Sequence, residues 1–444
     1  MNSPINSKFY RQFILLFLFG LTTYLAINSA NAYLVSKMGK ELYSDYSITI
    51  LVLFFLCSFF FIGTTAMLIE YIPLLIQERK RQLIKWNSIV IIKSTIVISL
   101  LLLFSYIIGI FIDKTGFCIS TTCYKYTHIA KDLFYMLPVA MIIMWNSSFL
   151  NAEKKSFLSQ IIGNNTITYL IAIALFIFSF FNQAINHLYL FYIIITTFFL
   201  LLLIQAICLY FVFIKTNKVS IKKIINTKIS KKQSKIYLSD GLSLMVNKVI
   251  VSLPSIVCLL MLEWFDPNEI SLSYFIIISF ISNIGAIIPN AISIQMAPFL
   301  SGINDPQKLH SLQTINNIRV RYSVIWLFVV IALILTFKKF IFIMYSINFK
   351  YALLSIIVLT TFNCFFSIIL LYEKVCFYNN MNKRLYKVTV SQIIVALISS
   401  YFLIKQYSFL GALYSLIISE LFAAISCWFI VKKQKIKIKA FGLY

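Results

Sequence analysis

The sequence predicts an all-α integral membrane protein of about twelve transmembrane helices arranged as two six-helix lobes with both termini cytoplasmic. Three observations carry this. Of 444 residues, 60% are hydrophobic and only 12% charged, too little polar surface to cover a soluble core of this size. Apolar runs of about twenty residues recur from end to end, each long enough to cross a bilayer as a helix. A basic segment then divides the chain into halves that echo one another.

Twelve spans follow in order. The first six are 11–35, 48–72, 86–112, 131–151, 155–181 and 187–214. The second six are 237–262, 271–299, 322–342, 351–372, 387–404 and 409–431. With the N-terminus placed in the cytoplasm, 28 of the 39 Lys and Arg residues fall on that side, nine lie in outer loops, and Lys93 and Lys248 lie inside spans. Cytoplasmic loops are the basic ones in membrane proteins, so this asymmetry sets the orientation. It also removes the nucleic-acid reading that a net charge of +25 would otherwise invite. Lys8, Arg11, the apolar run from Phe13 and Ala30-Asn31-Ala32 imitate a secretory leader, but we read a retained first helix.

Residues 215–236 hold eight lysines and no acidic residue, with apolar positions at Val219, Ile221, Ile224, Ile225 and Ile229. We read them as a cytoplasmic linker lying on anionic headgroups between an N-terminal lobe, 1–214, and a C-terminal lobe, 237–444. The halves share landmarks. Pro73 in EYIPLL and Pro298 in QMAPFL are offset by 225 residues; SQII at Ser159 and again at Ser391 is offset by 232. Six spans per unit make the repeats parallel.

Enzyme signatures are sparse. The three histidines are scattered, no Cys/His spacing suits zinc, and no phosphate-binding loop or nucleophile triad stands out. We expect no catalytic residue, metal or cofactor. Cys118 and Cys123 share one short loop and can pair if it faces an oxidising compartment.

Polar residues instead cluster in particular spans. Asn28 and Asn31 lie in the first, Asp240, Ser243, Asn247 and Lys248 in the seventh, and Asn283 and Asn290 in the eighth. Asp240, Ser243 and Asn247, three and four apart, form a stripe on one helix face. Lys248 lies roughly 16 Å into its span at 1.5 Å per residue. A central lysine costs on the order of 3 kcal/mol to insert, so such residues face a cavity or a partner. We read Lys248 as a fixed cation that attracts an anionic group such as phosphate or pyrophosphate. Asp240 can assist it, and Glu420, the other deep charge, can instead pair with it. Glu70 and Lys93 lie nearer the cytoplasmic surface and fit structural or gating roles.

The residues also resemble a known family. The turn KMGKELYSDYS (Lys37 to Ser47), EYIP ending the second span, NSSFLNAEKKSFLSQIIGNN (Asn146 to Asn165), AISIQMAPFLSG (Ala291 to Gly302) and FLGALYSLIISE (Phe409 to Glu420) follow one another along nearly the whole chain. In order and spacing they resemble the polysaccharide (O-antigen and capsule repeat-unit) flippases of the multidrug/oligosaccharidyl-lipid/polysaccharide (MOP) exporter superfamily. The chain departs from the family pattern at Ser44-Asp45-Tyr46 and at Glu70.

The resemblance implies two lobes around a central cavity lined mainly by the first and seventh spans. Its cargo would be a polyprenyl-pyrophosphate-linked oligosaccharide, moved from inner to outer leaflet of a bacterial cytoplasmic membrane by alternating access. A polysaccharide polymerase and other assembly proteins, with membrane lipids, would be partners. Lys248 would hold the pyrophosphate, and Asn28, Asn31, Ser243, Asn247 and Asn290 would meet sugars. Asp240, Glu70, Glu420 and Lys93 would serve ion coupling or gating. Two alternatives stay open: a same-fold exporter of a drug or peptidoglycan precursor, and a membrane glycan polymerase.

Overall fold

A computed structural model describes residues 7–61, 63–72, 77–115, 121–152, 162, 170–171, 173–174, 177, 187–211, 221–266, 269–300, 306–347, 351–379, 381–434, 436 and 438–441. Among the described residues the secondary structure is helical, and ten helices are long and apolar enough to cross a membrane. The protein is a multi-pass membrane protein. The fifth predicted span, Pro73, and the loop in which Cys118 and Cys123 could pair lie wholly or largely outside the described residues.

The elements are α1 (Ser7–Phe60), α2 (Thr64–Tyr71), α3 (Gln77–Thr115), α4 (Thr121–Ala152) and α5 (His187–Leu209), followed by a short α6 (Ile221–Asn226) and α7 (Lys231–Phe265). Then come α8 (Glu269–Ser282), α9 (Ile287–Leu300), α10 (Pro306–Met344), α11 (Ala352–Ile369), α12 (Leu371–Tyr378), α13 (Asn382–Tyr407) and α14 (Phe409–Lys433). Within α1 the stretch Phe9–Lys37, which holds the first predicted span, and the stretch Tyr43–Phe60, which holds the start of the second, are separate helical stretches on either side of Gly39, whose positive φ of 84° breaks the helix. The eighth is interrupted: a 3₁₀ turn at Asn283–Ala286 separates α8 from α9. At that turn a side chain on Gly285 would lie 2.3 Å from the Thr360 carbonyl oxygen, so only glycine lets the backbone of α11 approach. Long faces of exposed Ile, Leu and Phe, such as Ile96, Leu100, Phe104 and Ile107 on α3, suit acyl chains rather than water.

The chain divides into two compact units, one of residues 1–44 with 250–444 and the other of residues 45–249. This division by packing falls elsewhere than the repeat boundaries at 214 and 237. The first part of α1 packs with the later spans, and the first part of α7 packs with the earlier ones.

In unit 45–249 the linker helix is docked. Lys85 on α3 donates to the carbonyls of Ile225 (2.5 Å) and Thr227 (2.9 Å), capping the C-terminal end of α6 with a cation. Ile225 stays exposed on the same helix.

The unit 1–44 with 250–444 fastens its own end. The Gln313 carboxamide both accepts from Lys439 N and donates to Lys439 O (3.1 Å each), while buried Asn316 donates to Lys439 O at 2.9 Å and Ala440 O at 2.7 Å. Residues 438–441 thereby lie under α10, with Ile438 and Ala440 buried.

Candidate functional site

Lys248 stands at the midpoint of the 35-residue helix α7, which runs unbroken through Asp240, Ser243 and Asn247. Helical geometry therefore keeps the last three on one face. The side chains of Ser243, Asn247, Lys248 and, on α2, Glu70 lie outside the described residues.

What fixes the first part of α7 is visible within unit 45–249. Gly63 precedes α2 with φ 67°, and a side chain there would lie 2.0 Å from the Gly241 carbonyl oxygen. Both the left-handed backbone and the contact demand glycine. This seam brings Tyr71 beside Asp240, where the phenol donates to the carboxylate at 3.4 Å. Trp86 on α3 completes the attachment, donating to Ser234 at 3.2 Å and packing its ring 5.7 Å from that of Tyr237. Asp240 is thus half-buried at a helix seam with a phenol partner. Lys93, by contrast, is exposed on α3 among exposed Ile89, Ile92 and Ile96.

The polar residues of α1 belong to the other unit. Asn28 accepts from the Tyr345 phenol at both its backbone oxygen (2.8 Å) and its side-chain oxygen (2.9 Å), and its amide donates to Tyr24 O. Tyr24 in turn donates to Ile281 O at 2.7 Å. Asn28 is therefore part of a network that ties α1 to α8 and to the end of α10. Among the described residues, buried Asn31 has no partner for its amide nitrogen and Thr23 none for its hydroxyl, so both keep hydrogen-bonding capacity facing inward. Asn290 is exposed; Asn283, also exposed, accepts from Asn363 at 3.3 Å.

The same unit holds charges that the sequence did not single out. Arg319, counted above among cytoplasmic loop residues, lies inside α10 with no exposure at all. Its guanidinium donates to Ser293 Oγ and to Ile368 O, both at 2.7 Å. The charge count by side gave Arg319 to a loop; the structure places it in a helix and buried. Glu420 shares a small cavity with Glu373 and Gln392, neither of which the sequence reading named. Among the described residues, no group of three or more His, Cys, Asp or Glu is arranged to hold a metal.

Comparison with known proteins gives one kind of match. No protein-family model matches the chain, and no curated protein sequence matches it. Solved structures do. An outward-facing multidrug-resistance MATE family transporter of the MOP superfamily aligns with TM-score 0.60 at 15% identity, over 96% of this chain and 95% of its own. A Vibrio cholerae MATE transporter aligns with TM-score 0.64 at 14% identity, over 98% and 99%. A MOP superfamily transporter from Pyrococcus furiosus, described as having a binding pocket of reversed polarity, aligns with TM-score 0.63 at 14% identity, over 97% and 96%. Across essentially its whole length, this chain has the fold of MATE transporters of the MOP superfamily.

Proposed function

We propose that the protein is an alternating-access exporter that flips polyprenyl-pyrophosphate-linked oligosaccharide repeat units from the inner to the outer leaflet of a bacterial cytoplasmic membrane, for surface polysaccharide synthesis. The fold supports transport across a membrane by two repeated lobes. The observation that carries the cargo is Lys248, a cation at the midpoint of the long helix α7, whose sequence also places Asn247 and Ser243 on a polar stripe. A lysine so far along a largely apolar helix suits a pyrophosphate and repels a cationic drug. Asn31, with an unused buried amide, and exposed Asn290 supply donors and acceptors for sugars. The lipid tail remains in the bilayer, so the protein handles the headgroup alone. Polymerase and assembly proteins would take the product outside.

A second reading, export of a drug, rests on the fold likeness to multidrug MATE transporters. Complementation separates the two. A strain lacking its repeat-unit flippase would express wild type, Lys248→Ala or Lys248→Arg at matched membrane levels. Wild type restores surface glycan, Ala accumulates lipid-linked precursor, and Arg restores part of the export. Normal export by the Ala variant would remove the cavity-cation mechanism. Failure of wild type, with drug resistance gained instead, would favour the second reading.

A further inference from the structure

Beyond α14 the chain is non-helical, and its side chains alternate. Ile436 is half-buried, Ile438 and Ala440 are buried, and Lys439 and Phe441 are exposed. An irregular segment must still place its backbone hydrogen bonds somewhere. Here three side chains of the same unit take them. Gln313 on α10 accepts from Lys439 N and donates to Lys439 O, both at 3.1 Å. Asn316, one turn on, donates to Lys439 O at 2.9 Å and Ala440 O at 2.7 Å. The Tyr372 phenol oxygen on α12 accepts from Ala440 N at 3.1 Å. All four polar backbone groups of Lys439 and Ala440 are thereby matched, and none of these bonds uses the Lys439 side chain.

The segment lies across the end of a buried polar column. Asn316, Arg319 and Ser323 follow one another at helical spacing on α10, and none of them is exposed. Among the described residues, Asn316 Oδ1, Arg319 Nε and Ser323 Oγ have no hydrogen-bond partner. Buried polar atoms in that state attract water. The segment bonded to Asn316 stands between them and the level at which α14 ends in Lys432 and Lys433. Its own hold is modest. Chain entropy opposes ordering these residues, and each hydrogen bond returns only a small net gain. A cover held so lightly is one that can be lifted.

We propose that Gln313, Asn316 and Tyr372 form a site that reads peptide backbone, that its occupant is the segment 436–441 of this chain, and that this strap is a releasable cover over the polar column of α10. Docked, it ties α10 to α12 and α14 and closes the column. Released, it admits water to Asn316 and Arg319 and loosens the start of α10. A transporter of two moving lobes needs each lobe stiff, and the strap makes the stiffness of this unit depend on one short segment. The strap does not depend on the cargo, and its test reads no transport, so failure of the complementation would leave it standing.

The test is amide hydrogen exchange on the full chain in nanodiscs, read by mass spectrometry over residues 313–323 of α10, with α13 as the internal reference. Replacing residues 436–441 by a Gly/Ser sequence of equal length is expected to speed exchange over 313–323 by about tenfold or more while α13 keeps its wild-type rate. Ala440→Pro, which removes only the N–H given to Tyr372 and crowds a buried position, has the same effect in an otherwise intact chain and covers the case in which the replacement does not fold. Tyr372→Phe, which removes the acceptor alone, speeds exchange by about threefold. Lys439→Ala, at an exposed side chain, leaves it at the wild-type rate. Unchanged exchange over 313–323 in the replaced chain and in Ala440→Pro overturns the cover. Faster exchange in Lys439→Ala to the same degree as in Ala440→Pro overturns backbone reading. Equal acceleration of α13 and α10 in Ala440→Pro and Tyr372→Phe overturns local release, since the segment would then belong to the global fold.

Discussion

Arg319 and Gln205 do the same work in the two units by different chemistry. Each is fully buried, and each ties its helix to neighbouring parts of the chain through two or three hydrogen bonds. In unit 45–249, Gln205 on α5 donates to Ile143 O at 3.1 Å and Ile162 O at 2.5 Å, and accepts from Asn146 at 3.1 Å. In the other unit, Arg319 on α10 reaches Ser293 on α9 and Ile368 O on α11. The neutral clamp meets its donors and acceptor with amide dipoles. The charged one must offset the desolvation of a guanidinium, and among the described residues its Nε has no partner.

A permanent charge is a poor choice for holding helices together when a carboxamide suffices. It is a better choice where the surroundings carry opposite charge. The unit holding Arg319 also holds Glu373, Lys374 and Glu420, and Lys374 lies within electrostatic reach of both Arg319 and Glu373. The neutral clamp belongs to a region that only needs to be stiff. The charged clamp belongs to a region that carries several other charged side chains.

Substitutions sharpen the contrast. The largest effect is expected at Arg319: Arg319→Ala strands the Ile368 carbonyl and the Ser293 hydroxyl and costs about 4 kcal/mol of unfolding free energy. Arg319→Gln, which gives this unit the chemistry of the other, recovers about half of the loss. Denaturant unfolding in detergent measures both. A smaller effect is expected at the neutral clamp, where Gln205→Leu costs about 2 kcal/mol by leaving two carbonyls and Asn146 without partners. Adding Asn146→Leu to it costs less than the separate losses together, by about 1 kcal/mol, because the two side chains share a bond. Equal losses for the two clamps in the same assay would break the comparison.

Much of this was legible in the sequence. Apolar runs set the helices, and a strict rule about backbone groups in lipid made helix the only form those runs could take. The polar stripe of α7 was legible because Asp240, Ser243 and Asn247 fall at helical spacing. Arg319 was misplaced for an instructive reason. Counting charges by side gave it to a loop because it preceded the apolar run at residue 322. The signal was there in its periodicity: Ile315, Arg319, Ser323, Trp326 and Val330 recur every three or four residues and are all buried. The cavity was not legible, because Glu373, Gln392 and Glu420 come from separate helices brought together only by packing. Nor was the Gly63–Gly241 seam, since a glycine pair 178 residues apart leaves no local pattern.

The central claim is the cargo, and reconstitution tests it most directly. Proteoliposomes would carry a fluorescent lipid-linked pyrophosphate oligosaccharide in the inner leaflet, with its arrival outside read by a membrane-impermeant quencher. In parallel, a cationic dye would be loaded inside and its loss followed. The account predicts that wild type moves the lipid-linked oligosaccharide, that Lys248→Ala moves it at least about tenfold more slowly, and that dye loss matches empty vesicles. Dye export by wild type with the oligosaccharide left in place would contradict it.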